Sequence, residues 1–385
     1  MPMPMPAVTG TTSPANRTHS RMRVPRIKAL DFFCGAGGLT RGLLDAGIQV
    51  LAGIDNDERL LRTYEYNNRP SRLLVQDVRD LDIYQVRNSL GITSSDQVLY
   101  AACTPCQPFS TLNQRRGKDS RKQLLTAFGQ LVEAAPPDFI IVENVPGLHN
   151  AYGREIYAEF IEQLTRAGLV YHDEKLLDAA DYQVPQTRKR LIMVASRLGP
   201  IKLPSKSTSR KRTVRDAIGR MPPPQIGIQG ARSRSAQSAR ATSLSYSHLP
   251  NHVARKLSER HLSIVRAIPK DGGSRKDIVD ESVLLDCHRK NPDLHKDVFG
   301  RMRWDTPAPT LTCRCTDTYC GRFVHPEEDR GLSLREAAAL QTFPAKYEFF
   351  GTFLHAATQI GNAVPVKLAR TLAQAVITSI PVKEE

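Results

Sequence analysis

The sequence predicts an α/β fold: a doubly wound, mostly parallel sheet of Rossmann-like kind, joined to a smaller, strongly basic second domain. Three observations carry this. Short apolar runs alternate with amphipathic stretches from residue 28 to 196, the rhythm of a sheet covered by helices on both faces. The first run ends in a glycine-rich turn, Cys34-Gly-Ala-Gly-Gly38. The rhythm stops at Ser196, and basic residues crowd the next segment.

Taken in order, residues 1–23 hold Pro, Thr, Ser and Arg with almost nothing apolar to pack, and read as a flexible basic tail. KALDFF at 28–33 is the first strand, and LTRGLLDAG follows as a helix that Gly47 is placed to stop. QVLAGID is the second strand, ending in Asp55. A helix over 57–67 leads to the strand LLVQD, ending in Asp77. Further strands are expected at 97–102, 138–144 and 190–196, with helices over 120–135 and 153–167. Beyond 196, MPPPQIGIQG and ARSRSAQSAR show no period, and 246–305 is mixed around a turn signal at Asp271-Gly272-Gly273. Helical pattern returns at 332–341 and 365–380.

At ~100–200 residues per domain, 385 residues make two or three domains. The expected division is 1–23, a catalytic and cofactor-binding domain at 24–196, a second domain at 197–305, and a C-terminal part at 306–385. No apolar run approaches the ~18–20 residues of a membrane span. Seven cysteines are an odd number and too few for a disulfide framework, so a reducing cytoplasm is expected. The net charge is +15, and its placement is more telling than its size. Residues 31–195 carry 18 bases against 21 acids, whereas 196–240 carry eleven bases and one acid. A near-neutral body with one basic insert points to a polyanion, nucleic acid first.

Four constellations carry chemistry. Asp31 to Gly38 places a Gly-rich turn at a strand end, where backbone can approach a ligand closely. Asp55 suits a ribose diol and Asp77 a ring amine, so these strand ends suggest an adenosine-like cofactor. No Gly-x-x-x-x-Gly-Lys-Ser/Thr phosphate loop is present. Second, Thr104-Pro105-Cys106-Gln107-Pro108 sets a thiol in a Pro-bounded turn after a strand, a place for a nucleophile. Cys103 and Cys106 also make a C-x-x-C, so redox, half of a zinc site and a buried structural thiol stay open. Third, Glu143 ends the most apolar strand, where desolvation favours a proton-donating carboxyl. Fourth, Arg188 and Arg190 alternate before an apolar strand and could hold an anionic backbone or a base edge.

In this order along most of the chain, the motifs resemble those of the C5-cytosine DNA methyltransferase family. DFFCGAGG resembles its cofactor loop, TPCQPFS its nucleophile loop, ENV its glutamate motif and QTRKR its Gln-x-Arg-x-Arg motif. Pro307-Ala-Pro-Thr-Leu-Thr312 resembles the ninth block. Gln359-Ile-Gly-Asn-Ala-Val-Pro365 resembles the tenth, which returns 357–380 to the catalytic domain. The resemblance makes 197–305 the target-recognition domain. It implies S-adenosylmethionine as methyl donor and a flipped-out cytosine in duplex DNA as acceptor. Cys106, Glu143, Arg188 and Arg190 become the catalytic set. Asp31, Phe33, Gly35, Gly37, Gly38, Asp55, Asp77, Pro105, Asn362 and Val364 become the cofactor set. The polar stretch after Cys106 offers Arg115 and Arg116 to DNA, and the basic region offers Arg232, Arg234, Arg240 and Arg275.

No metal is expected. Cys313, Cys315 and Cys320 make a C-x-C-x₄-C that is not a common zinc spacing. Three positions depart from the family pattern without removing a needed group: Cys34, Asp55 where Glu is usual, and Thr104 where a second Pro is frequent. A monomer acting beside a restriction endonuclease is expected. A tRNA cytosine methyltransferase on the same fold and a non-catalytic DNA-binding homologue are the alternatives.

Overall fold

A computed structural model of the chain describes residues 27–105, 123–149, 153–227, 249–291, 293 and 296–380. Its centre is a seven-stranded sheet. Strands β1 (Ile27–Phe32), β2 (Gln49–Asp55), β3 (Arg72–Val75), β4 (Gln97–Cys103) and β5 (Phe139–Asn144) run parallel. β6 (Tyr171–Asp178) and β7 (Lys189–Ser196) come next, and β7 is antiparallel to both of its neighbours. The order is β3-β2-β1-β4-β5-β7-β6. The chain works outward from β1 through β3, then returns to the other side of β1 at β4. Crevices at the carboxyl ends of strands open where the order reverses in this way.

The expected alternation is present. Helices α1 (Gly38–Asp45), α2 (Leu61–Asn67), α3 (Ile83–Ser89), α4 (Gln123–Ala134) and α5 (Arg154–Arg166) separate the strands. Gly47 takes the left-handed conformation just beyond α1, at φ 94°. Some elements differ from expectation, and α3 has no counterpart in the sequence reading. The helix over 57–67 begins as a 3-10 turn at Glu58–Leu60, for which Asp57 supplies the cap. β6 has no counterpart in the sequence reading, because its residues YHDEKLLD are mostly exposed and only Leu177 is fully buried. An edge strand of this kind is held by its ladder to β7, not by an apolar face.

The sheet is buried on both sides. One face packs Phe32, Tyr100, Phe128 and Phe160 together, with the Phe32 and Phe128 rings 5.0 Å apart edge-on. The other joins Ala29, Leu43, Leu99 and Ile141 to Leu368 and Leu372 of α11 (Val366–Thr378). α11 therefore lies against α1, although more than 320 residues of chain separate them. Gly42 makes the approach possible: a Cβ there would sit 2.4 Å from Ala369 Cβ and 2.6 Å from Val366 O.

Region 197–305 holds short elements: α6 (Val214–Ile218), a parallel pair β8 (Gln225–Gly227) with β9 (Val253–Arg255), α7 (Glu259–Ala267) and α8 (Asp286–Lys290). Part of its apolar surface is shared with the C-terminal part of the chain. Val214, Ile218, Val253 and Met302 join one core with residues of α9 (Leu334–Leu340) and α10 (Phe353–Asn362). Arg301 is completely buried there and reaches Ile268 O, His325 O, Glu328 O, Val265 O and Asp329 Oδ1 at 2.5–3.2 Å. A buried cation persists only when paired and hydrogen-bonded in this way. Among the described residues no helix is long and apolar enough to cross a membrane.

Candidate active site at the carboxyl edge of the sheet

The turn after β1 is wound into a cradle. Phe33, Gly35 and Gly37 have φ of 56°, 54° and 84°. A Cβ on Gly35 would meet nothing within 4 Å, so the cradle opens at that point. Beneath it the packing is closed: a Cβ on Gly38 would fall 2.5 Å from Val364 O. Val364 is buried just beyond α10, while Asn362 at the end of that helix is exposed. The block around 359–365 thus lies directly under the turn.

Acidic groups line this edge. Asp55 ends β2 and accepts the Gly35 N–H at 3.0 Å and the Asp57 N–H at 3.1 Å. Burial nevertheless pushes its carboxyl above the usual range. Asp31 is fully buried, and burial pushes its carboxyl up to about 7 against the Thr40 hydroxyl, which donates to Oδ2 at 2.5 Å. Its Oδ1 has no hydrogen-bond partner among the described residues. Burial also raises the Cys34 thiol well above its ordinary value. Asp77 is differently placed from expectation. Arg79 takes both of its oxygens, at 2.9 and 2.6 Å, and holds the carboxyl down at about 2.

The second half of the edge is built by β4, β5 and β7. Cys103 ends β4 as the register partner of Glu143 on β5. The next pair is tied by Asn144 Nδ2, which donates to Thr104 Oγ1 at 2.5 Å. Because β7 runs the other way, its first residues reach the same edge. Arg190 Nε lies 2.8 Å from Glu143 Oε1, and the Cys103 thiol donates to Oε2 at 2.9 Å. Glu143 is only 3% exposed, so this pairing decides what its carboxyl can do. Pro105 is the last described residue before the thiol turn. Cys106, Arg115, Arg116, Arg232, Arg234 and Arg240 lie outside the described residues.

Arg188 and Arg190 make different contacts and do not lie together on one face of a strand. β7 begins only at Lys189, so Arg188 precedes the pleat. Its buried guanidinium donates to Leu311 O at 2.9 Å and Gly361 O at 3.3 Å. It therefore joins the segment at 307–312 to the one at 359–365. Gln186 and Gln341 extend the tie. Gln186 donates to Gln341 Oε1 at 2.9 Å and accepts the Leu311 N–H at 2.9 Å, and Gln341 donates to Ile360 O at 2.8 Å. Sequence reasoning missed Gln341; a lone amide closing the apolar run AAALQ was its signal. Arg275 is buried, 3% exposed. Among the described residues, no three His, Cys, Asp or Glu side chains gather as a metal site would need.

Known proteins are similar to this chain. The family model described as C-5 cytosine-specific DNA methylase matches residues 27–378. The Type II methylase M.HgiDII of Herpetosiphon aurantiacus is 38% identical over 359 residues, covering 90% of this chain and 94% of that protein. The Type II methyltransferase M.XorII of Xanthomonas oryzae is 30% identical over 380 residues, covering 92% and 86%. Among solved structures, a prophage-encoded Escherichia coli chain described as a DNA modification methyltransferase matches with TM-score 0.69 at 21% identity, covering 92% and 99%. The Entamoeba histolytica methyltransferase EhMeth matches with TM-score 0.59 at 15% identity, covering 92% and 98%.

Proposed function

The chain belongs to the C-5 cytosine-specific DNA methylase family, and from that premise we propose how its residues share the work of methylating cytosine in duplex DNA. The carrying observation is Glu143, buried at a strand end with Arg190 on one oxygen and beside the strand that leads into Pro105 and Cys106.

Cytosine C5 is a poor nucleophile. In this reading the Cys106 thiolate adds to C6, forming an S–C6 bond. Charge then grows toward N3, and Glu143 gives its proton there, leaving an enamine whose C5 carries the electron density. Arg190, next to Glu143, holds the carboxyl and faces the base edge. Arg188 is assigned a positioning role, because its Nη1 donates to both Leu311 O and Gly361 O and so ties two segments together. After C5 has been methylated, a base removes its proton, the electrons of that bond re-form C5=C6 and expel the Cys106 thiolate, and N3 returns its proton to Glu143. The target base has to leave the stack first, since a duplex buries both C5 and C6.

The cradle fits S-adenosylmethionine. Open space above Gly35 admits a ligand, and the Asp55 carboxyl beside it suits a ribose diol. When bound, S-adenosylmethionine supplies an electrophilic methyl group. Phe33, Gly35, Gly37, Gly38, Asp55, Asn362 and Val364 are the residues proposed to hold it. Asp77 shapes the rim through Arg79. The named relatives are Type II enzymes, and by analogy this chain is assigned to protect a site that a partner endonuclease cuts.

Bisulfite sequencing of DNA from a host expressing the chain tests the reading. It predicts 5-methylcytosine at one short sequence context, lost with Cys106→Ser. DNA without such a context in a host making soluble protein would overturn it.

A further inference from the structure

The geometry points to Cys103 as a positioning residue for Glu143, an inference that rests on the methyl-transfer reading above. Glu143 is buried, and two groups reach it from different strands, a guanidinium as an ion pair and a thiol as a hydrogen-bond donor. Arg190 Nε lies 2.8 Å from Oε1 and the Cys103 thiol 2.9 Å from Oε2. The terminal torsion of a glutamate is broad and roughly two-fold, so one contact leaves the carboxyl plane free to swing. A directional hydrogen bond on the other oxygen fixes the plane. A general acid works only when its oxygen lies within hydrogen-bond reach of the atom it protonates. A misplacement of about 1 Å in such a site can cost on the order of a hundredfold in rate.

Two features make the thiol suited to this. Cys103 is the register partner of Glu143, so the ladder between β4 and β5 sets their separation. The following pair is clamped by Asn144 on Thr104, which keeps that register to the end of the strands. A thiol is also a weak donor. It can orient the carboxyl and still give way when a base edge arrives at the same oxygen. The guanidinium beside Oε1 attracts the carboxyl by charge, and the thiol supplies the directional contact. The side chain at 103 thereby sets the aim of an acid it does not itself replace.

The test compares Cys103→Ala, which removes the donor, with Cys103→Ser, which keeps one. Transfer of tritiated methyl groups to plasmid DNA gives kcat and KM, and calorimetry gives S-adenosylmethionine affinity. Cys103→Ala is expected to lose about tenfold in kcat, with both KM values and cofactor affinity within about twofold of wild type. Cys103→Ser is expected to recover to within about threefold of wild type. Adding Cys103→Ala to Glu143→Gln should cost nothing further, because the acid it aims is already gone.

Cys103→Ala at the wild-type rate overturns the proposal and leaves the function standing. So does Cys103→Ser as slow as Cys103→Ala, or a loss confined to KM, since either makes the role one of packing. A wild-type protein that places no methyl group on cytosine overturns the reading and this proposal together.

Discussion

The sheet edge and region 197–305 were read from the same sequence with different success, and the contrast lies in what each task demands of a residue. At the edge, the proposed chemistry asks for particular groups near strand ends: Asp55 ends its strand, and Asp31, Glu143 and Arg190 each stand one residue from the end of theirs. In 197–305 the informative signal was charge, and charge is interchangeable. Among the described residues of the basic insert, much of it is spoken for. Lys206 and Lys211 both meet Asp181 at 2.8 Å, Arg210 meets Asp216 at 2.7 Å, and Arg215 meets Asp305 at 2.7 Å. Further on, Arg301 and Arg275 are buried. Counting bases finds a polyanion-binding region without separating the arginines that touch DNA from those that hold the protein.

The comparison breaks most sharply at Cys106. Cys106→Ser should abolish turnover while sparing cofactor binding, and the gel that shows it uses DNA carrying 5-fluorocytosine. Wild type should form a denaturant-stable adduct that needs S-adenosylmethionine, because fluorine cannot leave C5 as a cation and the thiolate then cannot be expelled. No adduct with a confirmed target site would reject addition at C6. Glu143→Gln comes next. Loss of the general acid should lower kcat by about 10²–10⁴-fold, read as single-turnover methyl transfer.

Gly38→Ala sharpens the cofactor side. Its Cβ would enter the space of Val364 O, 2.5 Å away. Overpacking of this kind costs about 1–3 kcal/mol, and calorimetry should show weaker S-adenosylmethionine binding with DNA affinity retained. On the recognition side, replacing Arg232, Arg234 and Arg240 together by Ala should flatten the slope of log K against log salt. The expected change is about 0.9 for each phosphate that is no longer neutralised. An unchanged slope would make that stretch a bystander. Deleting the whole of 205–240 is a poorer experiment, since it also removes Val214 and Ile218 from a core.

A further test concerns pH. Asp31 in the folded chain keeps its proton up to about pH 7, whereas its ordinary value is 3.8. The folded state therefore holds the extra proton in between. The stability this confers is complete at the acid end and falls as pH rises toward 7, by at most ~1.4 kcal/mol per unit. Asp31→Asn should flatten that slope in thermal unfolding of the ligand-free protein. A slope that stays the same would show the carboxyl ionised throughout.

Most of the sheet was legible because its strands are buried on both faces, which forces continuous apolar runs such as FIIV before Glu143. β6 was not, because one-sided burial leaves a strand free to be polar. α10 was missed as a helix, since FLHAATQIGN was read for its motif and not for its period. The Glu143 site was legible as a carboxyl at an apolar strand end. Its partners were not: Arg190 arrives by an antiparallel crossing that local pattern does not specify. The thiol at 103 was read against Cys106 in sequence, while in space it meets Glu143 across a strand. Arg188 shows the converse, a residue found by motif whose contacts lie more than 120 residues away.

The packing of α11 on α1 also bears on how the protein is made. α11 is synthesised after β1 to β7, yet it forms part of the layer that covers them, and Val364 lies immediately before it. On a translating ribosome the sheet can emerge and fold while Leu39, Leu43 and the underside of Gly38 still lack their cover. A nascent chain stopped before residue 359 has every strand but an unfinished cradle. Methylation competence is thereby deferred until the polypeptide beyond the tenth motif has emerged, and a truncated product of interrupted translation is left with an exposed apolar flank for quality control to find.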